Sequence, residues 1–188
     1  MRRVPLFAAF ALPLAACGSG GPTVTATNAS ASEVAAKVAA ATGGGDMISP
    51  GRWEGTMTMH DMKMPKLPPA QQAQLAGRMG ASQSIISCVT EEEVKAKRGF
   101  FTGQNDADKS CRYDHFTMAG GKIDAAMNCS RASTKMTATM TGTYAPDHYH
   151  MDMASATDSD SPYAAMSMTM TIDAKRTGAC RGTPDEKH

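Results

Sequence analysis

Residues 166–172 read MSMTMTI, with methionine at every second position before Ile172 and serine or threonine between them. Successive side chains of a β-strand point to opposite faces, so this spacing predicts a strand with one apolar and one polar face. The same alternation occurs in MTATMTGTY at 136–144 and in HYHMDM at 148–153. The repeated pattern predicts an antiparallel sheet with one face in water.

The chain from Gly103 to residue 175 is β-like, and an earlier strand begins at Trp53, where the odd positions are apolar. Short turns such as AGGK and APDH separate the later strands and favour an antiparallel meander. The predicted strands of this meander are 111–118, 122–130, 134–144, 148–156 and 164–174. The predicted fold class is mainly β: six or seven strands curled into a half-barrel or a sandwich, with short helices around 70–80 and at 91–98.

Methionine is the most abundant large apolar residue available to this sheet. From residue 17 onward the chain has 15 methionines, as many as leucine, isoleucine, valine and phenylalanine together. The methionine side chain is flexible and fills irregular spaces. The alternation therefore indicates the core of a sheet before it indicates a binding site.

The first sixteen residues have the pattern of an export signal. MRR is a positively charged start, and the apolar stretch VPLFAAFALPLAA that follows is too short to span a bilayer as a helix. The stretch ends in LAAC at 14–17, which resembles the cleavage and lipidation motif of bacterial lipoproteins. The alternative is an ordinary secretory signal that is cut after Ala16.

Lipidation at Cys17 implies a location and a division of the chain. Two or more acyl chains, such as palmitate, anchor a protein firmly to a membrane. Gly18 follows the cysteine, and by analogy with lipoprotein sorting it favours the outer membrane of the cell envelope, facing the periplasm. Residues 1–16 are then a signal peptide, 17–46 a lipidated flexible tether, 47–182 a disulfide-stapled β domain and 183–188 a polar tail.

The four remaining cysteines are predicted to form two disulfides, because their number is even and the chain is exported. A zinc site is the alternative, but no CxxC pair is present. The four cysteines are Cys88, Cys111, Cys129 and Cys180.

The hairpin around Gly120 suggests how these cysteines pair. A three-residue loop places Cys111 opposite Cys129, whereas a two-residue loop places Cys111 opposite Ser130. The first register is preferred because it brings two sulfurs within bonding reach. The remaining pair is then Cys88 with Cys180.

Two stretches offer soft metal ligands. HDMKM at 60–64 contains His60, Met62 and Met64, and HYHMDM at 148–153 contains His148, His150, Met151 and Met153. Thioethers and imidazoles suit Cu(I) or Ag(I). On a regular strand, however, the histidines and methionines of the second stretch face opposite sides. These residues are therefore candidates only, and exposed polar residues of a sheet are the alternative.

Other functional classes lack a sequence signal. Lys and Arg number 19 against 18 for Asp and Glu, so no charge field favours nucleic acid. The chain has no GxSxG motif and no phosphate-binding loop, so no catalytic residue, enzyme activity or cofactor is predicted. We therefore expect a non-catalytic binding or envelope-structure module whose partner is a protein or an apolar ligand. The alternative is a soft-metal-binding protein of the periplasm.

Several motifs resemble those of one family. They are ISPGRWEGTMTM, CVTEEEVKAK, CRYDHFTMAGGKIDAAMNC, MTATMTGTY and MSMTMTIDAKRTGAC. In this order they resemble the domain of unknown function numbered 3617, over about 47–182. The resemblance implies an exported bacterial protein, often a lipoprotein and frequent in Sphingomonas-like proteobacteria. It implies architecture and location but no chemistry.

Overall fold

The computed structural model describes residues 21–43, 47–79, 82–95 and 110–182, with the side chains of 76–79 and Lys95 left out. Eight antiparallel strands form one open sheet in the order β1-β4-β5-β6-β7-β8-β2-β3. The strands are β1 (Val24–Ser30), β2 (Gly51–Lys63), β3 (Gln83–Val89), β4 (Cys111–Ala119), β5 (Lys122–Arg131), β6 (Thr134–Ala145), β7 (His148–Asp158) and β8 (Met166–Gly178). The helices are α1 (Ala31–Ala41), α2 (Pro69–Met79) and α3 (Glu91–Lys95).

The mainly β prediction is confirmed. Strands β4 to β8 form the expected meander, and β2 pairs with β8 over eleven residue pairs. The sheet remains open, with β1 and β3 at its edges. Helices α2 and α3 lie where they were predicted, although the last part of the second predicted helix, 96–98, is outside the described residues.

The predicted tether at 17–46 is wrong for residues 24–41, which form β1 and α1. Strand β1 pairs with β4, and Val24 is only 4% exposed. Val34 and Val38, one helical turn apart, are fully buried on the sheet. Alanine-rich helices of this length are only marginally stable in isolation. The packing of these two valines against the sheet therefore stabilises α1.

Helix α1 begins with a reciprocal cap. The Ser30 hydroxyl accepts a hydrogen bond from the backbone N–H of Glu33 at 3.2 Å, and the Glu33 carboxylate accepts one from the backbone N–H of Ser30 at 2.6 Å. Such capping satisfies N–H groups that a helix start leaves without partners and stabilises it by about 1 kcal/mol. The change from strand to helix therefore occurs sharply at Ser30.

Two clusters of buried residues lie on one face of the sheet, which we call the inner face. In the first cluster, Val34 and Val38 of α1 pack with Phe116 and Met118 of β4. In the second, Trp53 of β2 packs with Ile48 and Ala174 and lies 5.4 Å from the ring centre of Tyr149. Helix α1 thus covers the β1–β4 end of the inner face.

The β4–β5 hairpin reaches the predicted cysteine pair by an unpredicted route. Its turn is a two-residue loop at Gly120-Gly121, because Ala119 pairs with Lys122. The register then shifts by one residue between Tyr113 and His115, where Asp114 is an extra residue that no β5 residue opposes. This bulge places Cys111 opposite Cys129, within disulfide bonding distance. The preferred three-residue loop is therefore wrong, although the pair of cysteines is the one it gave.

The second cysteine pair ties the far edge of the sheet. Cys88 of β3 and Cys180, just after β8, lie at disulfide bonding distance and are 92 positions apart in sequence. Arg52 of β2 pairs with Cys88 on one side and with Gly178 on the other, so the bond crosses the start of β2. Closing a loop of this length stabilises a fold by about 4 kcal/mol in the chain-entropy model.

Candidate functional site

Four methionines form a continuous row across the inner face. In the strand register Met140 of β6 lies opposite Met153 of β7, Met153 opposite Met170 of β8, and Met170 opposite Met59 of β2. Directly opposed residues have β-carbons about 4.5–5.5 Å apart, so neighbouring thioethers in this row are within reach of each other. We call these four residues the methionine row.

The methionine row is half-buried, unlike the buried methionines of the first cluster. Met118 is 0% exposed and Met151 is 3% exposed, whereas each member of the row keeps part of its surface in solvent. Five further half-buried methionines flank the row on the same face: Met57, Met62, Met136, Met166 and Met168. The β6–β7–β8–β2 part of the inner face is therefore a thioether-rich surface that the described residues cover only in part.

A glycine lets one thioether cross between strands. Gly142 of β6 lies opposite Met151 of β7, and a β-carbon built on Gly142 would lie 2.7 Å from Met151 Sδ. The Met151 side chain therefore leans over the neighbouring strand and fills the space that a larger residue would take. This contact shows directly that a thioether on this face reaches the adjacent strand.

The outer face carries a polar network centred on His150. Its Nδ1 lies 2.6 Å from Asp173 Oδ1 of β8, and its Nε2 lies 3.3 Å from Asp152 Oδ2 on the same strand. The Thr171 hydroxyl donates to Asp152 Oδ1 at 2.7 Å and lies 2.7 Å from His60 Nε2. The network joins β2, β7 and β8 on the face opposite the methionine row.

This network favours a charged imidazole. The hydrogen bond to Asp173, followed by that residue's charge and the contacts with Asp152, raises the pKa of His150, while partial burial opposes the rise. The pKa of Asp152 is lowered, first by the hydrogen bond from Thr171 and then by His150. An imidazolium can donate from both ring nitrogens, which the neutral ring cannot. His150 therefore links β7 to β8 through Asp173, and its contacts with Asp173 and Asp152 are strongest when the imidazole is protonated.

The structure does not bring the predicted soft-metal residues together. His148 and His150 lie on the outer face, while Met151 and Met153 lie on the inner face, as regular alternation requires. His148 Nδ1 lies 2.8 Å from its neighbour Asp147, and His150 is held by carboxylates. Across the part of the chain that the structure describes, no group of three or more His, Cys, Asp or Glu side chains could hold a metal.

The first candidate stretch is also divided between faces. His60 sits at a register shift between Met59 and Asp61 and turns toward Thr171 on the outer face. Met62 pairs with Met168 on the inner face, and Met64 lies beyond the end of β2. Of the seven candidates, only Met153 belongs to the methionine row. The other three members were missed because strand pairing is not visible in a single strand's sequence.

A shallow groove of about 250 Å³ lies on the outer face. Small and hydroxyl side chains line it, including those of Thr137, Thr139, Ala156 and Thr169. The lining includes the carboxylate of Asp61 but no basic side chain, thiol or imidazole. The groove therefore offers less basis for a binding site than the methionine row.

A family model describing proteins of unknown function, DUF3617, matches residues 48–180. The chain belongs to the DUF3617 family. The matched range contains both cysteine pairs, the polar network and the methionine row, and it ends at Cys180. Strand β1 and helix α1 of this DUF3617 protein lie outside the matched range, although they cover part of its core.

No curated protein and no solved structure gives a significant match to this DUF3617 chain. None of the described helices has the length and apolarity needed to cross a bilayer. The predicted signal peptide 1–16, the predicted lipid site Cys17 and the predicted tail 183–188 lie outside the described residues.

Proposed function

We propose that this DUF3617 protein is an exported lipoprotein of the bacterial cell envelope whose domain is a non-catalytic binding module. Cys17 carries the lipid, and Gly18 directs the protein to the outer membrane, where the domain faces the periplasm. The proposal for the anchor is supported by the LAAC motif at 14–17 and by the apolar stretch before it.

The observation that carries the binding role is the half-buried state of the methionine row. A sheet core is normally packed to the density of an organic crystal, and Met118 and Met151 fit that description. The row does not, because Met153 and Met170 retain solvent contact. Flexible thioether side chains adapt to more than one ligand shape, so this surface suits an apolar ligand or an apolar segment of a partner.

The position of β1 limits the distance between the lipid site Cys17 and the domain. Only seven Cα–Cα steps separate Cys17 from Val24, which allows a span of at most about 25 Å. Strand β8 has 13 residues and so is about 43 Å long. A lipid at Cys17 would therefore hold the domain beside the bilayer, with the Gly120-Gly121 end of the sheet nearest, because Val24 pairs with Met118.

Palmitate labelling in a bacterial host tests the anchor. The unmodified chain should incorporate label and fractionate with membranes, and Cys17→Ala should lose both properties. Ser19→Ala is the matched control and should keep them. Retained label and membrane fractionation in the Cys17→Ala protein would show that the lipid is attached elsewhere in the chain.

Titration with an anilinonaphthalene dye tests the binding surface. In the chain from residue 18 onward, Met153→Gln with Met170→Gln should weaken dye binding about tenfold or more, because an apolar contact is replaced by an amide. The control pair Thr141→Gln and Thr169→Gln places the same side chains on the outer face. Equal effects of the two pairs would argue against a binding surface on the inner face.

Soft-metal binding is the second candidate function. The mixed Met/His sites at 60–64 and 148–153 lose support, because the strand geometry separates their ligands. The thioethers of the methionine row keep this candidate open, because they lie on adjacent strands without any histidine.

A further inference from the structure

The methionine row has a composition that sheet formation alone does not favour. Strands prefer β-branched and aromatic residues, because these pack well on a pleated, half-buried surface. Met140, Met153, Met170 and Met59 occupy such positions on four adjacent strands. Valine or isoleucine would serve an apolar surface equally well, so what distinguishes the row is its soft sulfur atoms.

The strand register also places the methionines of the row where several sulfurs can reach one common point. Met153 has a directly opposed methionine on each side, Met140 on β6 and Met170 on β8. Three side chains with three rotatable bonds each can turn toward one point above the central strand. Met151 shows that a thioether of this face does cross to the next strand.

The thioether sulfurs of the row determine which metal ions it can bind. Thioethers bind soft cations. They are poor ligands for Ca²⁺ and Mg²⁺, which prefer oxygen, and for Zn²⁺, which prefers imidazole nitrogen, carboxylate oxygen or thiolate sulfur. The histidines and carboxylates of the polar network lie on the opposite face of the sheet, so they cannot join the same site. No thiolate competes within the fold, because its four cysteines pair with each other.

We propose that Met140, Met153 and Met170 form an all-thioether site for Cu(I), with Met59 available as a further ligand. Ag(I), which has the same ligand preference, should occupy the same site. The inference rests on the proposed function, since it names a ligand for the same inner-face surface. It differs from the predicted Met/His sites in using residues that only the strand register brings together.

The test is a Cu(I) titration against a competing chelator without oxygen, using the chain from residue 18 onward. Methionine methyl signals in NMR spectra, with Ag(I) as the redox-stable probe, report which side chains respond. The triple variant Met140→Leu, Met153→Leu and Met170→Leu removes the sulfurs and keeps the surface apolar. The control variant Met47→Leu, Met118→Leu and Met151→Leu removes as many sulfurs from the buried cluster itself.

We expect one Cu(I) per chain, and an affinity at least about 100-fold weaker in the triple variant, more than loss of an outer-shell partner usually costs. The control variant should bind like the parent. Because thioethers do not titrate, the affinity should stay constant from about pH 5 to 8, the range in which histidine titrates. Loss of affinity at the acidic end would instead assign the site to histidine.

Failure of this inference is distinguishable from failure of the proposed function. If the parent binds the apolar dye but no Cu(I), or if the two triple variants bind Cu(I) equally well, the metal site is overturned and the apolar binding surface stands. If the parent binds neither dye nor Cu(I), both fail. If the triple variant keeps dye binding and loses Cu(I), both are supported.

Discussion

Met153 lies directly opposite Met170 across β7 and β8, and both remain half-buried, while Met151 two residues away is 3% exposed. The inner face therefore changes from packed core to accessible surface within one strand. The first part belongs to the buried cluster that includes Phe116 and Met118, and nothing among the described residues buries the second part to the same extent.

This contrast predicts that truncating a methionine lowers the free energy of unfolding by different amounts in the two parts of the face. Met118→Ala should lower the free energy of unfolding by about 2–5 kcal/mol, because it leaves a cavity in a fully buried cluster. Met170→Ala should cost clearly less, because solvent already reaches the side chain. Urea unfolding of both variants provides the comparison, and equal costs would place Met170 in a packed core.

Helix α1 should be essential to the fold, although it lies outside the family match. Val34→Asp should destabilise the protein by several kcal/mol, because it buries a carboxylate without a partner. The control Ala36→Asp places the same charge on the exposed side of the helix. Thermal unfolding followed by circular dichroism checks the prediction, and similar melting temperatures for the two variants would contradict it.

The bulge at Asp114 should determine disulfide formation. Inserting one alanine after Asp114 gives β4 one residue more than a single-residue bulge absorbs, so Cys111 should move opposite Ser130 and the Cys111–Cys129 bond should fail to form. Thiol counting on the unreduced chain from residue 18 onward should then find two free thiols. Asp114→Ala keeps the residue count and should leave none. An intact bond after the insertion would show that the pairing of Cys111 with Cys129 does not depend on the size of the bulge.

The hydrogen bond between His150 and Asp173 predicts that the stability of the fold depends on pH. The raised pKa of His150 means that its contribution to stability is present below its unfolded value of about 6.5 and is lost as the pH rises through the folded value. The lowered pKa of Asp152 gives a contribution that is present above its unfolded value of about 3.9 and is lost as the pH falls through the folded value. The network is therefore strongest between these two unfolded values.

An NMR titration of the His150 ring checks this account. Asp173→Asn should lower the pKa of His150 toward its ordinary value, because the largest stabilising contact of the imidazolium is removed. Asp147→Asn, beside His148, should leave the His150 titration unchanged. An unchanged His150 pKa in the Asp173→Asn protein would mean that the two side chains are not paired in solution.

Alternation was sufficient to predict the strands of the meander but not all of the sheet. Strand β3 was missed because Ile85 and Ile86 are adjacent, which breaks the two-residue period. Strand β1 was missed because its apolar residues are small, and its burial depends on the distant partner β4. Both are edge strands of the sheet.

The methionine row was not predictable from the sequence for a related reason. Each strand shows its own alternation, but the row depends on the alignment of four strands. That alignment includes the shift near His60, which no composition signal marks. The face of each methionine could therefore be predicted, whereas its neighbour across the sheet could not.

The most direct test of the central claim is oxidative footprinting of the folded protein with hydrogen peroxide, read by peptide mass spectrometry. Exposed thioethers oxidise to sulfoxides, whereas packed ones are protected. Our account predicts that Met59, Met140, Met153 and Met170 oxidise well before Met118 and Met151, and that saturating Ag(I) protects the row. Oxidation of the row as slow as that of Met118 would show that these methionines are core material and would contradict a binding surface on this face.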